Sequence, residues 1–424
     1  MNKIGVMHVV DTLAAGGAER TAVNLANHLP GERFNVWLCT TREDGPLANL
    51  VEAGVGRLRL ERRSRFDAGA IKRLVDFIRT NDIRILHAHG ASLFCASVAA
   101  AFRPHPHVVW HLHYGRYALE DRSAWHYRLA VSRAAGVITV NQQLAEWVRR
   151  RLRAPERRVW YIPNPVCVPQ AGTSAGTLPG EPGTRIVCVA NLRPEKDHVT
   201  LVRAMASVIC EAPDAHLLLV GASQNSAYLA NADYFEAVRS EISRHGMERN
   251  VSFLGQRSDV AAVLRECAIG VLSSKTEGLP VSLLEYGMAG LPVVATDVGE
   301  CAHVLNAGRA GLVVPPSSPE RLAVALLELI RSPERRLLYG DRFRRRVQKL
   351  YSPARIVGQV CQVYDKIIRG EKAKTRRAGA RSTPGSRLKT LEAESLEKLH
   401  SSRSSHERQP TINLYRQVGQ GAPK

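Results

Sequence analysis

The strongest constraint on the fold is an alternation of short apolar runs with longer helix-like segments. Apolar runs lie at residues 3–10, 35–40, 83–87 and 108–110, and the helix-like segment 16–29 follows the first of them. This alternation predicts βαβ units, and therefore a parallel sheet with helices on both faces. The first part of the chain is expected to form a Rossmann-like domain.

The same alternation returns in the second part of the chain, with strand-like runs at residues 185–190, 215–220, 251–254, 269–272 and 292–296. Between the two series, residues 163–183 are rich in Pro, Gly and small side chains, as linkers are. We therefore predict an α/β protein of two Rossmann-like domains that face each other across a cleft. The predicted parts are an N-terminal domain at 1–168, a linker at 169–183, a C-terminal domain at 184–352 and a helix at 353–369 that returns to the first domain.

The composition changes near Gly370, where Lys, Arg, Ser, Gly and Gln become frequent and aromatic residues rare. Residues 370–424 carry a net charge of +7, from twelve Lys and Arg against five Asp and Glu. Such a segment buries too little apolar surface to fold, so we predict a disordered basic tail with at most a short helix at 388–399. No repeat with a period of about 20 to 50 residues is present, which leaves solenoid and propeller folds unsupported.

Composition also limits the class of protein. Of 424 residues, 45% are hydrophobic and 23% charged, which excludes wholesale disorder. The net charge of +20 favours an anionic partner, which can be nucleic acid, acidic lipid headgroups or a phosphorylated small molecule. The eight cysteines form no C-x-x-C pair, so neither disulfides nor structural zinc are expected.

The sequence also bears on cellular location. No apolar run approaches the ~18 residues of a bilayer span. The first residues lack the small-residue cleavage site of a signal peptide. We expect a cytoplasmic protein that can also touch the inner face of the membrane.

The first candidate site is the glycine pair Gly16 and Gly17, which follows the first strand and opens a helix. Two readings are open. The glycines can let the backbone approach an anion at the helix N-terminus, or they can serve a tight turn that needs positive φ. The spacing is not G-x-G-x-x-G, so a dinucleotide cofactor is not favoured.

Two histidine pairs form the second candidate, His87 with His89 and His111 with His113, both at expected carboxyl ends of strands. Ligands bind at that edge of open α/β sheets. We expect one of the four to contact substrate and the other three to be hydrogen-bonded in the core. A metal site would need further ligands, and no cysteine or carboxylate cluster lies nearby in sequence.

The third candidate is the loop at residues 190–198, which presents Arg193 and Lys196 beside a helix start. An Arg fork and a Lys point charge can clamp a diphosphate. The alternative is a solvated basic turn.

The fourth candidate is the segment after the strand at 269–272. Pro280 suits the first turn of a helix, and the amides of Gly278 and Leu279 could face an anion there. Glu277 lies in the loop and Glu285 eight positions later on the helix. One carboxylate could accept hydrogen bonds from a sugar and the other from a ribose. The alternative is a pair of unrelated surface glutamates.

In combination, these motifs resemble the retaining GT-B-fold glycosyltransferases of family 4, over about residues 3–368. The matching features are Gly16-Gly17-Ala18-Glu19-Arg20, the Arg/Lys loop, Glu277-x7-Glu285, Gly290-Leu291-Pro292-Val293-Val294 and Gly308-x-x-Gly311 continuing to Pro316. The resemblance implies a transferase that moves a sugar from a nucleotide diphosphate sugar to a glycan or lipid-linked acceptor. It implies no cofactor and no metal, which agrees with the lack of an Asp-x-Asp motif.

The resemblance also implies residue roles. Lys196 binds the donor diphosphate, Glu285 the ribose, and Glu277 with the amides around Gly278 and Leu279 the transferred sugar. Gly17 approaches the diphosphate or the acceptor. The catalytic set is Glu277, His113 and Lys196, with His111 in place of His113 if the register differs by two; the substrate-binding set is Gly16, Gly17, Arg193, Gly278, Leu279 and Glu285.

Two positions depart from the family pattern. The family usually has an Arg five positions before the Lys, where this chain has Asn191; Arg193 is the candidate substitute. The linker reads Pro163-Asn164-Pro165 where Asn-Gly is common, which predicts a stiffer hinge.

Other readings stay open. The basic stretch 57–66 can dock on anionic lipid or be a solvated loop. The charge also permits a nucleic-acid-binding protein, although no binding motif or aromatic platform supports that class. A catalytically silent scaffold of the same fold is the third alternative, and the presence of Glu277, Glu285 and Lys196 argues against it.

Overall fold

The computed structural model describes residues 3–14, 16–64, 67–113, 124–167, 174–222 and 232–381. The chain divides into two compact units, Met1–Ile367 and Ile368–Lys424. The first unit contains two parallel sheets with helices packed around them. This arrangement confirms the predicted α/β fold class.

The N-terminal sheet has seven strands among the described residues: β1 (Ile4–Val10), β2 (Phe34–Thr40), β3 (Gly56–Arg59), β4 (Ile83–His89), β5 (His107–Leu112), β6 (Gly136–Thr139) and β7 (Val159–Tyr161). Their order is β3-β2-β1-β4-β5-β6-β7, and neighbours run parallel. Every residue of β6 is buried, as expected for a parallel sheet with both faces covered.

The C-terminal sheet has six strands in the part of the chain that is described: β8 (Arg185–Val189), β9 (His216–Val220), β10 (Val251–Gly255), β11 (Ile269–Leu272), β12 (Val293–Thr296) and β13 (Leu312–Val314). The order is β10-β9-β8-β11-β12-β13, again parallel throughout. In both sheets the first strand lies between the second and the fourth. At such a switch point, ligands bind beyond the carboxyl ends of the strands.

The helices connect the strands and cover both sheets. Polar side chains cap three of their starts: Asp67 Oδ1 accepts from Ala70 N at 2.9 Å, Asn141 Oδ1 from Leu144 N at 2.7 Å, and Ser332 Oγ from Arg335 N at 3.3 Å. The helices of the described residues are α1 (Gly17–His28), α2 (Ala68–Thr80), α3 (Leu93–Ala99), α4 (Trp125–Arg133), α5 (Gln142–Arg150), α6 (His198–Glu211), α7 (Ala232–Arg244), α8 (Val260–Arg265), α9 (Val281–Ala289), α10 (Cys301–Val304), α11 (Pro319–Arg331), α12 (Pro333–Tyr351) and α13 (Pro353–Arg381).

The last helix contacts the N-terminal sheet through its first part. Tyr364 is fully buried, packs edge-on against Phe34 with ring centroids 5.8 Å apart, and has its hydroxyl 2.6 Å from His87 Nδ1. Arg33 donates to Asp365 at 2.8 Å. The chain after α12 therefore packs on the first sheet.

The same helix differs from the sequence prediction at its far end. We predicted disorder from Gly370, but α13 continues to Arg381. Residues 371–381 are mostly Glu, Lys, Arg and Ala, which have high helix propensity without needing an apolar face. The predicted short helix at 388–399 lies outside the described residues.

No helix of the described residues combines the length and the apolar stretch needed to cross a bilayer. The longest, α13, contains many Lys and Arg residues.

Candidate active site

A cavity of about 260 Å³ lies where the switch points of the two sheets meet. Its wall takes residues from the loops after β1, β5, β8 and β11 and from the first turns of α1 and α9. The structure brings together in this one wall every residue that the sequence analysis assigned to the site: Gly16, Gly17, His113, Arg193, Lys196, Glu277, Gly278, Leu279 and Glu285.

Lys196 and Glu277 form an ion pair in the wall. Lys196 Nζ lies 2.6 Å from Glu277 Oε1, and the Ser274 hydroxyl donates to the same oxygen at 2.6 Å. The Glu277 side chain is only 8% exposed. Its Oε2 accepts no hydrogen bond from any described residue, and the Lys196 ammonium keeps two further N–H groups. Both side chains therefore retain the capacity to bind a ligand.

Glu285 and Arg20 approach each other from the two domains. Glu285 lies on α9 and Arg20 on α1, with Nη2 3.5 Å from Oε1. Burial raises the pKa of Glu285, and the Arg20 guanidinium acts in the opposite direction. The pair places one carboxylate and one cation near the N-terminal end of helix α9. A carboxylate can accept hydrogen bonds from the hydroxyls of a ligand, and a cation can bind its phosphates.

The glycine pair opens α1 without a left-handed turn. Gly16 is extended, at φ −123° and ψ 159°, and Gly17 is already helical. The reading in which the pair needs positive φ is therefore wrong. A Cβ on Gly17 would lie 3.6 Å from Val281 Cγ2. The missing side chain leaves open the space between α1 and α9, at the cavity wall.

The start of α9 is held from both sides. Pro280 is the residue before the helix, one position earlier than we expected. Asn164, which lies shortly before the predicted linker, donates through Nδ2 to the Leu279 carbonyl at 2.9 Å. Gly299 packs on the same loop, where a Cβ would come within 2.5 Å of the Glu277 and Gly278 carbonyls. These contacts fix the backbone of residues 277–280.

The histidines lie partly at the cavity and partly in the core. His113 lines the cavity, whereas His87, His89 and His111 are buried behind it. Burial lowers the pKa of His113 to about 3, with Asn164 acting in the opposite direction. Sequence analysis missed His8, which joins the cluster because β1 pairs with β4 and sets His8 beside His87.

The histidine cluster is the part of the described chain that could hold a metal. In each of two groups, every residue offers one nitrogen within 4.8 Å of the other two. By distance alone, three nitrogens with this spacing could bind one metal ion. The two groups are His8, His87 and His89, and His89, His111 and His113.

Asn191 lies at the position where the family resemblance implies an Arg, and its side chain connects two loops. Its Oδ1 accepts from Ala222 N at 2.9 Å and so joins the loops after β8 and β9. Close packing continues at Gly221, where a Cβ would lie 2.1 Å from the Ala190 carbonyl oxygen. Arg193 lines the cavity with Nη1 3.9 Å from Glu195 Oε1.

The cavity wall also contains polar residues that sequence analysis did not assign to the site, among them Glu19, Arg20, Asn164 and Arg257. Glu19 and Arg20 belong to the glycine motif, so their positions could have been inferred from it. Burial raises the pKa of Glu19 to about 7, and Arg193 acts in the opposite direction. Asn164 follows β7 and Arg257 follows β10, and no sequence pattern assigned either of them to the site.

The basic stretch 57–66 lies elsewhere. Its first residues form the edge strand β3, and Arg57 Nη2 is 2.6 Å from Asp44 Oδ2. Arg59 Nε is 3.4 Å from the same oxygen, and Arg62 pairs with Asp11 at 3.7 Å. Much of this positive charge is thus neutralised within the domain; residues 65–66 lie outside the described part.

Family models match both halves of the chain. Residues 15–168 match the model described as Glycosyltransferase Family 4, and residues 183–332 match the one described as Glycosyl transferases group 1.

Curated relatives match over shorter stretches. The lipopolysaccharide core biosynthesis mannosyltransferase LpcC of Rhizobium leguminosarum is 26% identical over 201 residues, 47% of this chain and 56% of the relative. The GDP-mannose-dependent monoacylated alpha-(1-6)-phosphatidylinositol monomannoside mannosyltransferase of Corynebacterium glutamicum is 31% identical over 176 residues, 39% of this chain and 43% of the relative. The chain spans about half the length of the curated relatives it matches.

Solved structures share the two-domain architecture. The crystal structure of Anabaena HepE in complex with UDP and glucose superposes with a TM-score of 0.71 at 20% identity, covering 85% of this chain and 99% of that one. The two family models together account for well over half of the residues, and their order follows the two sheets. The chain belongs to the glycosyltransferases of the GT-B fold.

Proposed function

We propose that this chain is a retaining glycosyltransferase that moves a sugar from a nucleotide diphosphate sugar to a lipid-linked glycan or polysaccharide precursor. One observation carries the proposal: nine residues chosen from separate sequence motifs line a single cavity between the two sheets. Those residues supply cations, carboxylates and a helix N-terminus, which are the groups that a nucleotide sugar needs.

The donor diphosphate would bind to the cations of the wall. Lys196 keeps two N–H groups beyond its bond to Glu277, and Arg193 and Arg20 line the same cavity. The N-terminus of α9 adds the partial positive charge of its amides. With Asn191 occupied in joining two loops, Arg20 of the first domain and Arg193 are the candidates for the second cation.

The carboxylates would hold the sugar and the ribose. We assign the ribose hydroxyls to Glu285 on α9, which is 18% exposed. We assign the transferred sugar to Glu277, whose Oε2 has no partner among the described residues, together with the amides of Gly278 and Leu279. Gly17 would allow the diphosphate or the acceptor to approach α1 closely.

Catalysis would depend on stabilising the leaving diphosphate. Negative charge grows on that group as its bond to the sugar breaks, and we propose that Lys196 and the α9 amides stabilise this charge without a metal or another cofactor. Attack by the acceptor on the same face gives retention, as the family resemblance implies. Closing the two domains over the donor would exclude the water that otherwise hydrolyses it.

The acceptor proposal draws on the relatives. The names of two of them specify lipopolysaccharide core biosynthesis and a phosphatidylinositol monomannoside, both lipid-linked glycans. Large apolar side chains are also exposed on the N-terminal domain, with Trp125 68% and Phe102 52% exposed. We propose that this domain meets the acceptor at the inner face of the membrane, with the protein cytoplasmic and peripheral.

A panel of nucleotide sugars, including UDP-glucose and GDP-mannose, tests the function by protection against thermal unfolding. A ligand that binds only the folded protein raises its Tm. We expect at least one nucleotide sugar to raise the Tm, and Lys196→Ala and Glu285→Ala each to abolish that shift. Anomeric analysis of the product by NMR then tests retention.

The matched control is Lys275→Ala. Lys275 lies in the loop after β11 and pairs with Asp197 at 3.3 Å, but it does not line the cavity. Its removal should leave donor protection unchanged. Full protection in both Lys196→Ala and Glu285→Ala would contradict the site, and no protection by any nucleotide sugar would contradict the function.

A further inference from the structure

Five buried histidines on and beside the N-terminal sheet form an ordered array. His8 lies on β1, His87 and His89 on β4, His111 on β5 and His113 just after β5, all at most 8% exposed. Alternate residues of a strand share one face, and the parallel register places His89 opposite His111. The side chains therefore meet across three neighbouring strands.

Three of the histidines form what we call the first row. His8 Nδ1 lies 3.0 Å from His89 Nε2, and His89 Nδ1 lies 3.0 Å from His113 Nε2. The ring centroids are 5.3 and 5.2 Å apart. Each centroid separation is close to a sum of three lengths: the N···N distance and, in each of the two rings, the distance from the centroid to the bonded nitrogen. The bonded nitrogens therefore lie nearly on the line between the rings, as in a straight hydrogen bond.

A second row lies against the first. The Tyr364 hydroxyl is 2.6 Å from His87 Nδ1, and His87 Nε2 is 3.1 Å from His111 Nδ1. The rows stack, with His87 and His89 centroids 4.6 Å apart and the planes 12° apart. Packing between the rows holds the imidazoles of the first row against rotation.

The imidazoles of the first row are neutral. Burial lowers the pKa of His8 and His113 to about 3, and it holds that of His89 well below 6.5. A neutral imidazole has one N–H and one bare nitrogen. The protons of the row must therefore all point in one direction, either from His8 towards His113 or the reverse.

Asn164 selects the direction. Its Nδ2 donates to the Leu279 carbonyl at 2.9 Å, so its Oδ1 must find a donor elsewhere. That oxygen and His113 Nδ1 are both buried, and neither meets hydrogen-bond geometry with any described residue. Asn164 nevertheless acts to raise the pKa of His113, as an oxygen that accepts from an imidazole N–H does. Because His113 Nε2 already faces His89, an acceptor oxygen from Asn164 calls for the N–H at His113 Nδ1, which sets the row to run from His8 to His113. The reverse direction would leave a buried N–H at His8 Nε2 with no acceptor, a rare state in proteins.

We propose that His8, His89, His113 and Asn164 form one directional hydrogen-bond chain that ends on the carbonyl of Leu279. Each member donates to the next: His8 Nδ1 to His89, His89 Nδ1 to His113, His113 Nδ1 to Asn164, and Asn164 Nδ2 to Leu279. The chain ties the first sheet to the loop that the proposed function assigns to the transferred sugar, and its role, though not its geometry, rests on that function. His8, His89 and Asn164 are then positioning residues for the sugar.

A metal site is the competing use of these histidines. In the first row the bonded nitrogens point at each other across 3.0 Å, which leaves no room for an ion between them. An ion held by neutral imidazoles would also bring two positive charges into the core. Neither three-histidine group contains a carboxylate to balance them.

Histidine tautomers give the direct test. In protein labelled with ¹⁵N in the histidine rings, long-range ¹H–¹⁵N correlation distinguishes Nδ1–H from Nε2–H. We expect His8, His89 and His113 to carry the proton on Nδ1 at neutral pH. A proton on Nε2 of His113 would overturn the proposal, and so would displacement of the row's N–H signals by stoichiometric Zn²⁺. This measurement needs no sugar donor, so it is separate from the test of function.

Binding gives the second test. Asn164→Ala and His8→Leu should each weaken binding of the protective nucleotide sugar about tenfold while leaving that of its bare nucleoside diphosphate unchanged. His8→Asn keeps a donor near the place of Nδ1 and should restore most of the sugar affinity. His105→Asn, at an exposed histidine, is the control. Equal losses for nucleotide sugar and diphosphate, or no rescue by His8→Asn, would contradict a positioning role.

Discussion

At the residue scale, the cavity is organised by two ion pairs whose members keep spare binding capacity. Lys196 with Glu277 lies within the C-terminal domain, whereas Arg20 with Glu285 joins the two domains. Arg20 also offsets the burial that raises the pKa of Glu285. The charge state of the proposed ribose ligand thus depends on a residue of the other domain.

Arg20→Ala should therefore weaken nucleotide binding in a pH-dependent way. Without the guanidinium, the pKa of Glu285 rises further, and less carboxylate is present at about pH 7 to accept the ribose hydroxyls. We expect nucleoside diphosphate affinity, measured by calorimetry, to fall about tenfold and to recover partly at about pH 8.5. Arg33→Ala is the control, because Arg33 pairs with Asp365 on the surface. A loss that is equal at both pH values would argue for a direct phosphate contact instead.

Sequence analysis identified the site residues that belong to recognisable motifs. Lys196 and Glu277 were selected from two separate loops, and they lie 2.6 Å apart in the structure. Asn164 and Arg257 were not assigned, because their position in the wall depends on how the two domains meet. No local pattern encodes that contact.

At the element scale, the buried histidines on and beside strands β1, β4 and β5 make the stability of the fold depend on pH. Burial lowers the pKa of His8 and His113 to about 3, against 6.5 for a free histidine, and it lowers those of His87, His89 and His111 as well. Below pH 6.5 the unfolded chain binds protons that the folded chain does not. The free energy of unfolding should therefore fall as the pH falls from about 6.5 towards 4.

The slope of that fall can be measured by urea unfolding at several pH values. Each fully shifted histidine contributes about 1.4 kcal/mol per pH unit, and the raised pKa values of Glu19 and Glu285 act in the opposite direction. His8→Asn should reduce the slope by the contribution of one histidine, about 1.4 kcal/mol per pH unit. The exposed His105→Asn should not change it, and an unchanged slope in His8→Asn would show that His8 is not held neutral.

The elements that sequence analysis predicted are the ones long enough to show a pattern. The apolar runs named in both halves all became strands of the two sheets. The strands not predicted, β3, β6, β7 and β13, have three or four residues each. Such short strands carry no periodicity of their own, and their pairing depends on the sheet already being there.

At the scale of the whole molecule, the question is how a net charge of +20 is used. Part of the charge is neutralised internally, as in Arg57 with Asp44. The remaining excess is expected to attract an anionic membrane over about a Debye length, which is ~10 Å in moderate salt. Attraction of that range concentrates the protein at the surface, but it does not by itself orient the N-terminal domain towards a lipid-linked acceptor.

Orientation would come from the exposed apolar side chains of that domain. We expect the protein to float with anionic vesicles at low salt, and to bind neutral vesicles weakly, because charge drives the first approach. Trp125→Ser should lower the bound fraction several-fold, since an exposed indole gains by entering the headgroup region. Leu337→Ser is the matched control: Leu337 is 76% exposed but lies on α12 of the C-terminal domain, so its loss should have little effect. Equal effects of the two substitutions would show that the N-terminal domain does not face the membrane. Failure to float with anionic vesicles at low salt would contradict membrane binding itself.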